Sequence, residues 1–232
     1  MTTISQPWLC FCIAYGVMAL ATILMGQQGA FFYTKDPIRR KFSILEMEFP
    51  GKPNEIADLV RGIYLLPGEA AKTIKAVKTQ LLLDCLLFIP ATYGGIFILC
   101  MQVAHKMPPG FGCDFFVMLA WGQGLSFILD YIENTYFLSL IGQRDLKSQS
   151  KTIFVLMRVL ECFKWGFALV GAACGFSAMV YYWLSGKYDI SSLPLIGVFF
   201  AEIILFIILS ASAQRLSGKN KQKKDHALVP GS

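Results

Sequence analysis

The sequence predicts an all-α protein, a polytopic integral membrane bundle of five transmembrane helices. Three observations predict it. Hydrophobic residues make up 55% of the 232 and charged residues only 16%, against about 25% charged in a typical soluble domain. Five stretches are long and apolar enough to cross a hydrocarbon core, which takes about 20 residues of helix. Lys and Arg fall almost wholly into alternate connections, the pattern that sets orientation in a membrane.

The first stretch, Trp8–Gly26, has no basic residue before it and a cluster (Lys35, Arg39, Arg40, Lys41) after it. That order predicts a retained helix with its N-terminus outside rather than a cleaved signal. Residues 27–78 form a long connection with nine Lys and Arg, expected at the cytoplasmic interface. Within it, Asn54–Leu66 carries Ile56, Leu59, Val60, Ile63 and Tyr64 on one face, and Pro67-Gly68 ends it. This predicts an amphipathic helix lying on the inner surface with its apolar face in lipid. Glu69–Lys78 continues helically. Ser43–Phe49 alternates in pattern, as a short extended piece or the mouth of a site would. For Glu46 and Glu48 within it, a solvated turn is the favoured reading.

The second span is Thr79–Ala104, the third Cys113–Ile141, the fourth Thr152–Leu184 and the fifth Leu193–Leu216. The fourth exceeds the bilayer and is expected to tilt or project. Seventeen Lys and Arg lie on the side of the 27–78 connection, the 142–151 loop and the tail. The opposite loops hold only Lys106 and Lys187. The C-terminus is therefore expected in the cytoplasm, and the plasma (inner) membrane is the expected location. Residues 1–218 read as one transmembrane domain and 219–227 as a basic tail. Residues 228–232 resemble a protease-site remnant left by expression. The +6 charge belongs to loops and tail and forms no nucleic-acid-reading motif.

The chemistry lies inside the spans. Gln123, Ser126, Asp130, Glu133 and Asn134 recur at three- and four-residue steps, so they share one helical face. Leu125, Ile128, Leu129 and Ile132 form the opposite, lipid-compatible face. In the fourth span Arg158, Glu161 and Lys164 share a face that continues through Ala168, Gly171, Ala172 and Gly175, small residues that let helices approach closely. In the second, Asp84, Phe88, Ala91/Thr92, Gly95 and Gln102 are expected on one side. At 1.5 Å of rise per residue, all the ionisable groups fall within roughly 8–18 Å of the inner boundary. They can therefore meet.

Ionised residues in hydrocarbon cost a few kcal/mol each and usually face one another or a wet cavity. Asp84, Asp130, Glu133 and Glu161 outnumber Arg158 and Lys164. Either one or two carboxylates hold a proton, or a cation completes the site. Oxygen ligands at Asp84, Asp130, Glu133 and Glu161 would suit a hard divalent cation, Ca²⁺ or Mg²⁺, and equally a protonated amine. Arg158 and Lys164 would otherwise grip a lipid phosphate.

The leading functional expectation is binding or transport of a cation or lipid-like amphiphile, with membrane lipids and a small-molecule or lipid ligand as partners. Asp130 and Glu133 would be its primary ligands. One alternative is an intramembrane lipid-modifying enzyme working through paired carboxylates. Another is a scaffold or assembly factor whose polar network only fixes helix register. Glu202 is expected to be protonated and bonded to a carbonyl. His105 and His226 form no catalytic or metal-binding pattern, and no hydrolase or zincin motif is present. The seven cysteines match no zinc spacing. They read as small buried hydrophobes, with a Cys10 or Cys12 pairing to Cys113 the one disulfide the topology would allow.

Overall fold

The computed structural model describes residues 6–35, 37–144, 146–187 and 197–208. The protein is mostly helical, in the order α1 (Gln6–Gly29), β1 (Tyr33–Lys35), β2 (Arg39–Lys41), α2 (Leu45–Glu48), α3 (Glu55–Tyr64), α4 (Ala70–Leu83), a π-helical turn (Asp84–Phe88), α5 (Ile89–Lys106), α6 (Phe111–Leu140) and α7 (Lys151–Leu184). A further apolar helix, α8, covers Gly197–Ile208. Among the described residues three helices are long and apolar enough to cross a membrane: Pro7–Gly29, the continuous Ala70–Lys106 and Phe111–Leu140. They mark a membrane protein. The expected fifth span is described only as α8, and the basic tail, the protease-site remnant and His226 lie outside the described residues.

α5 packs against α1, α6 and α7, and α6 packs against α7. The α5–α6 connection is tight because Pro108 and Pro109 end α5 and Gly110 leads directly into α6. Two large apolar cores result, beside a small cluster of Ile89, Tyr93 and Ala168. One joins Trp8, Phe11, Leu99, Val103, Phe116, Leu119, Met179 and Phe199 at the far end of the bundle. The other lies at the hairpin end. There Ile56, Leu59, Val60 and Ile63 of α3 meet Phe32, Phe42, Met47, Val77 and Leu81, with Phe137, Leu140 and Ile141 of α6.

This second core corrects one expectation. The α3 face predicted to lie in lipid is covered by protein, with Ile63 and Val60 fully buried. A 3.6-residue period reports that a face is apolar, not what covers it. The cover includes an antiparallel β1–β2 hairpin, paired Tyr33 to Lys41 and Lys35 to Arg39. Thr34 donates its hydroxyl proton to the Leu59 carbonyl. Gly62 is required here, since a Cβ would strike Thr34 Oγ1 and the Lys35 backbone. Gly68, at φ +72°, turns the chain between α3 and α4.

The helical continuation read at Glu69–Lys78 is α4, which runs through the π turn into α5 as one 37-residue helix. The π turn has a local cause. Pro90 has no N–H and its ring crowds the carbonyl four residues back. The ladder widens ahead of it, and the Ile89 N–H donates to the Asp84 carbonyl, five residues away.

Candidate functional site

α6 and α7 run antiparallel, and their polar faces meet near mid-length. Gln123 and Ser126 on α6 are fully buried. Gln123 Nε2 donates to the Phe167 carbonyl of α7 at 2.9 Å, and Ser126 Oγ donates to the Lys164 carbonyl at 3.4 Å. These bonds set α6 against α7 and carry the ionisable residues one to two turns further toward the hairpin end. Leu125, Ile128 and Ile132 on the opposite face of α6 are exposed.

Lys164 stands at the centre of the cluster, with 3% of its side chain exposed. Its ammonium donates to Asp130 Oδ1 at 3.1 Å and to Glu133 Oε2 at 2.6 Å. Glu161 Oε2, one turn away on α7, is 2.7 Å from the same nitrogen. That contact is an ion pair, and Glu161 Oε1 has no donor. Glu133 Oε1 also lacks one. Tyr93 on α5 donates its hydroxyl proton to Asp130 Oδ2 at 2.8 Å. Asp84, on the π turn, accepts a hydrogen bond from Asn134 Nδ2.

Of the seven residues singled out by the sequence, Asp130, Glu133, Glu161 and Lys164 form this centre, and Asp84 and Asn134 adjoin it. Arg158 stands apart. It lines a narrow cleft with Glu48, Glu133, Tyr136 and Phe154. Its guanidinium carbon is 6.0 Å from the ring centres of Phe49 and Phe154. The cleft has room for about one water molecule.

The ammonium of Lys164 lies among Asp130, Glu133 and Glu161, and among the described residues no group of three or more His, Cys, Asp or Glu is arranged to hold a metal. One expectation changes. Glu48, read as part of a solvated turn, faces the cluster from α2. Burial pushes its carboxyl up to about 7 from the ordinary 4.5. Lys164 pulls in the opposite direction, and Glu161, Asp130 and Asp84 add to the rise. Its neighbour Glu46 stays at the surface, paired with Arg40 at 2.6 Å.

Tyr93 is the residue sequence reasoning missed, and Glu48 the one it weighed as an added acid but ranked below a solvated turn. The π turn hides Tyr93. It inserts one residue into the helical register, so the face continuing from Asp84 is Ile89, Tyr93, Leu99, Cys100 and Val103, all buried. The expected Phe88–Thr92–Gly95–Gln102 side assumed an unbroken α-helix. Pro90, six residues after the intramembrane Asp84, was the available signal. Elsewhere, Glu202 on α8 lies against Gly16 of α1, with Oε2 buried and without a donor. No disulfide joins any of the seven cysteines, Cys10, Cys12 and Cys113 among them.

The helices and this cluster together define a membrane protein with a buried carboxylate–lysine centre. Comparison with known proteins finds no match: no family model, no curated protein and no solved structure is similar to this chain.

Proposed function

We propose that this protein binds a cation or the cationic head group of an amphiphile at the Lys164 cluster, with the acids exchanging protons as it enters. One observation carries the reading. Glu133 and Glu161 are more than nine-tenths buried, and each keeps an oxygen with no donor. Five carboxylates (Asp84, Asp130, Glu133, Glu161 and Glu48) stand against two cations. Buried acceptors without partners cost about 1–3 kcal/mol each, more when charged. A proton or a bound cation relieves that cost. Glu133 is the primary ligand through its unpartnered Oε1, Asp130 holds the charge beside it, Glu161 and Asp84 support them, and Lys164 keeps the acids in register. Tyr93 orients Asp130.

The charge split supports five spans with the N-terminus outside and the cluster opening to the cytoplasmic leaflet. On that topology the Met47–Pro50 segment forms the wall through which a ligand enters.

The test is thermal unfolding of detergent-purified protein titrated with dodecylammonium. Stabilisation in the wild type, lost in Asp130→Asn and Glu133→Gln without a comparable fall in basal melting temperature, is expected. A second reading, a network that only locks α6 onto α7, is favoured by the single-water size of the cleft. It wins if those variants lose basal stability and dodecylammonium shifts no melting temperature.

A further inference from the structure

The cleft beside the cluster has two chemically opposite walls. On one side Glu48 Oε2 and Glu133 Oε1 are buried acceptors without donors. On the other stands Arg158, half-buried against two aromatic rings and without an ion-pair partner among the described residues. An acid wall alone would fit any ammonium. An uncommitted guanidinium within the same cleft adds a planar, bidentate site suited to phosphate. Outside it the α7 surface is apolar and uncovered, with Val155 51%, Leu156 54% and Val159 46% exposed. That strip is a place for an acyl chain.

We infer that the occupant is a zwitterionic amphiphile, a single head group carrying both phosphate and ammonium on an acyl chain. Its phosphate lies on Arg158 and its ammonium on Glu48 and Glu133. This rests on the cation-binding reading and narrows it to phosphoethanolamine-type lipids. The order of charges fits a lipid in its leaflet. Arg158 sits beside the apolar α7 strip, where the phosphate next to the chain belongs, and the terminal ammonium reaches inward to the acids. The cleft has room for one water as it stands, so the head group enters by displacing the Met47–Pro50 wall.

The experiment compares four probes by the concentration that gives half-maximal thermal stabilisation of the full chain in detergent. They are lysophosphatidylethanolamine, lysophosphatidylglycerol, dodecylammonium and soluble phosphoethanolamine. Lysophosphatidylethanolamine is expected to act at a concentration at least about tenfold below the others, since charge-assisted hydrogen bonds add at least that factor. In Arg158→Gln this advantage over dodecylammonium disappears while dodecylammonium itself is unchanged, and Arg158→Lys restores part of it. Equal response of the wild type to lysophosphatidylethanolamine and dodecylammonium, or an unaltered advantage in Arg158→Gln, overturns this inference alone. Equal response to soluble phosphoethanolamine overturns the lipid assignment. No response to any probe overturns the cation-binding reading with it.

Discussion

Toward the hairpin end, α6 and α7 are joined by a lysine enclosed by three carboxylates. Toward the far end the same two helices, with α5, meet through glycines and apolar side chains. A Cβ on Gly171 would lie 2.6 Å from Gln123 Nε2 and 3.0 Å from Ile96, and one on Gly175 would lie 2.9 Å from Leu99. The far half is a close-packed seam whose stability depends on shape. The near half depends on charge. A contact that depends on shape has one good arrangement, and overpacking disturbs it. A contact that depends on charge is disturbed by removing any one of its partners.

Removing the central cation tests that contrast hardest. Lys164→Met leaves Asp130, Glu133 and Glu161 facing one another in a buried space. Breaking one partner out of a buried ion pair costs about 3–5 kcal/mol. The loss should shrink when Glu133→Gln is added, since one of the facing charges is then gone. Thermal unfolding of the single and double variants measures it, and an equal loss in both would mean that charge does not govern the near half. Gly171→Val probes the other side of the comparison. Overpacking should cost about 1–3 kcal/mol, and here the loss should be the same with and without Glu133→Gln. A Gly171→Val loss that changes with Glu133→Gln would show the two halves to be one coupled unit.

The sequence made these halves unequally legible. The α6 face was readable because its period runs unbroken from Gln123 to Asn134, and charge in an apolar helix can only be turned inward. The Arg158–Glu161–Lys164 spacing was readable for the same reason, but not the role of each. Whether a basic residue is enclosed, like Lys164, or left at the mouth, like Arg158, depends on the rotation of α7 against its neighbours. Tyr93 was hidden because a π turn rotates everything after it, and Pro90 only hints at the turn. The α2–α3 region was hidden more deeply. Glu48 shares its cleft with Glu133, Tyr136, Phe154 and Arg158, about 85 to 110 positions away in the chain, and no local pattern records such an approach.

Glu48 should give a smaller effect than either, with a definite sign. Its carboxyl is held near 7 in the folded protein and has an ordinary value of 4.5. The folded state therefore keeps a proton that the unfolded chain gives up. Glu48's contribution is fully present below about 4.5, declines as pH rises through that window, and is lost above about 7. At 1.36 kcal/mol per unit, discounted for its partial exposure, the decline is roughly 1–2 kcal/mol. Glu48→Gln should flatten the fall in melting temperature between pH 4.5 and 7 and leave the variant more stable than wild type at pH 8. A slope unchanged by the substitution would place Glu48 in solvent.

The smallest effect should come two residues earlier. Glu46 lies on the same short helix as Glu48 and is also an acid, but it pairs with Arg40 at the surface, where both side chains are more than a third exposed or close to it. Exposed pairs contribute about 0–1 kcal/mol and are screened by salt. Glu46→Gln should therefore change the melting temperature little, and what change there is should vanish in 0.5 M salt. The Glu48→Gln effect should persist there, because a group facing a buried cluster is screened far less. If salt erases both effects alike, the two acids share one solvated turn, and the near half of the bundle ends at Glu133 rather than reaching α2.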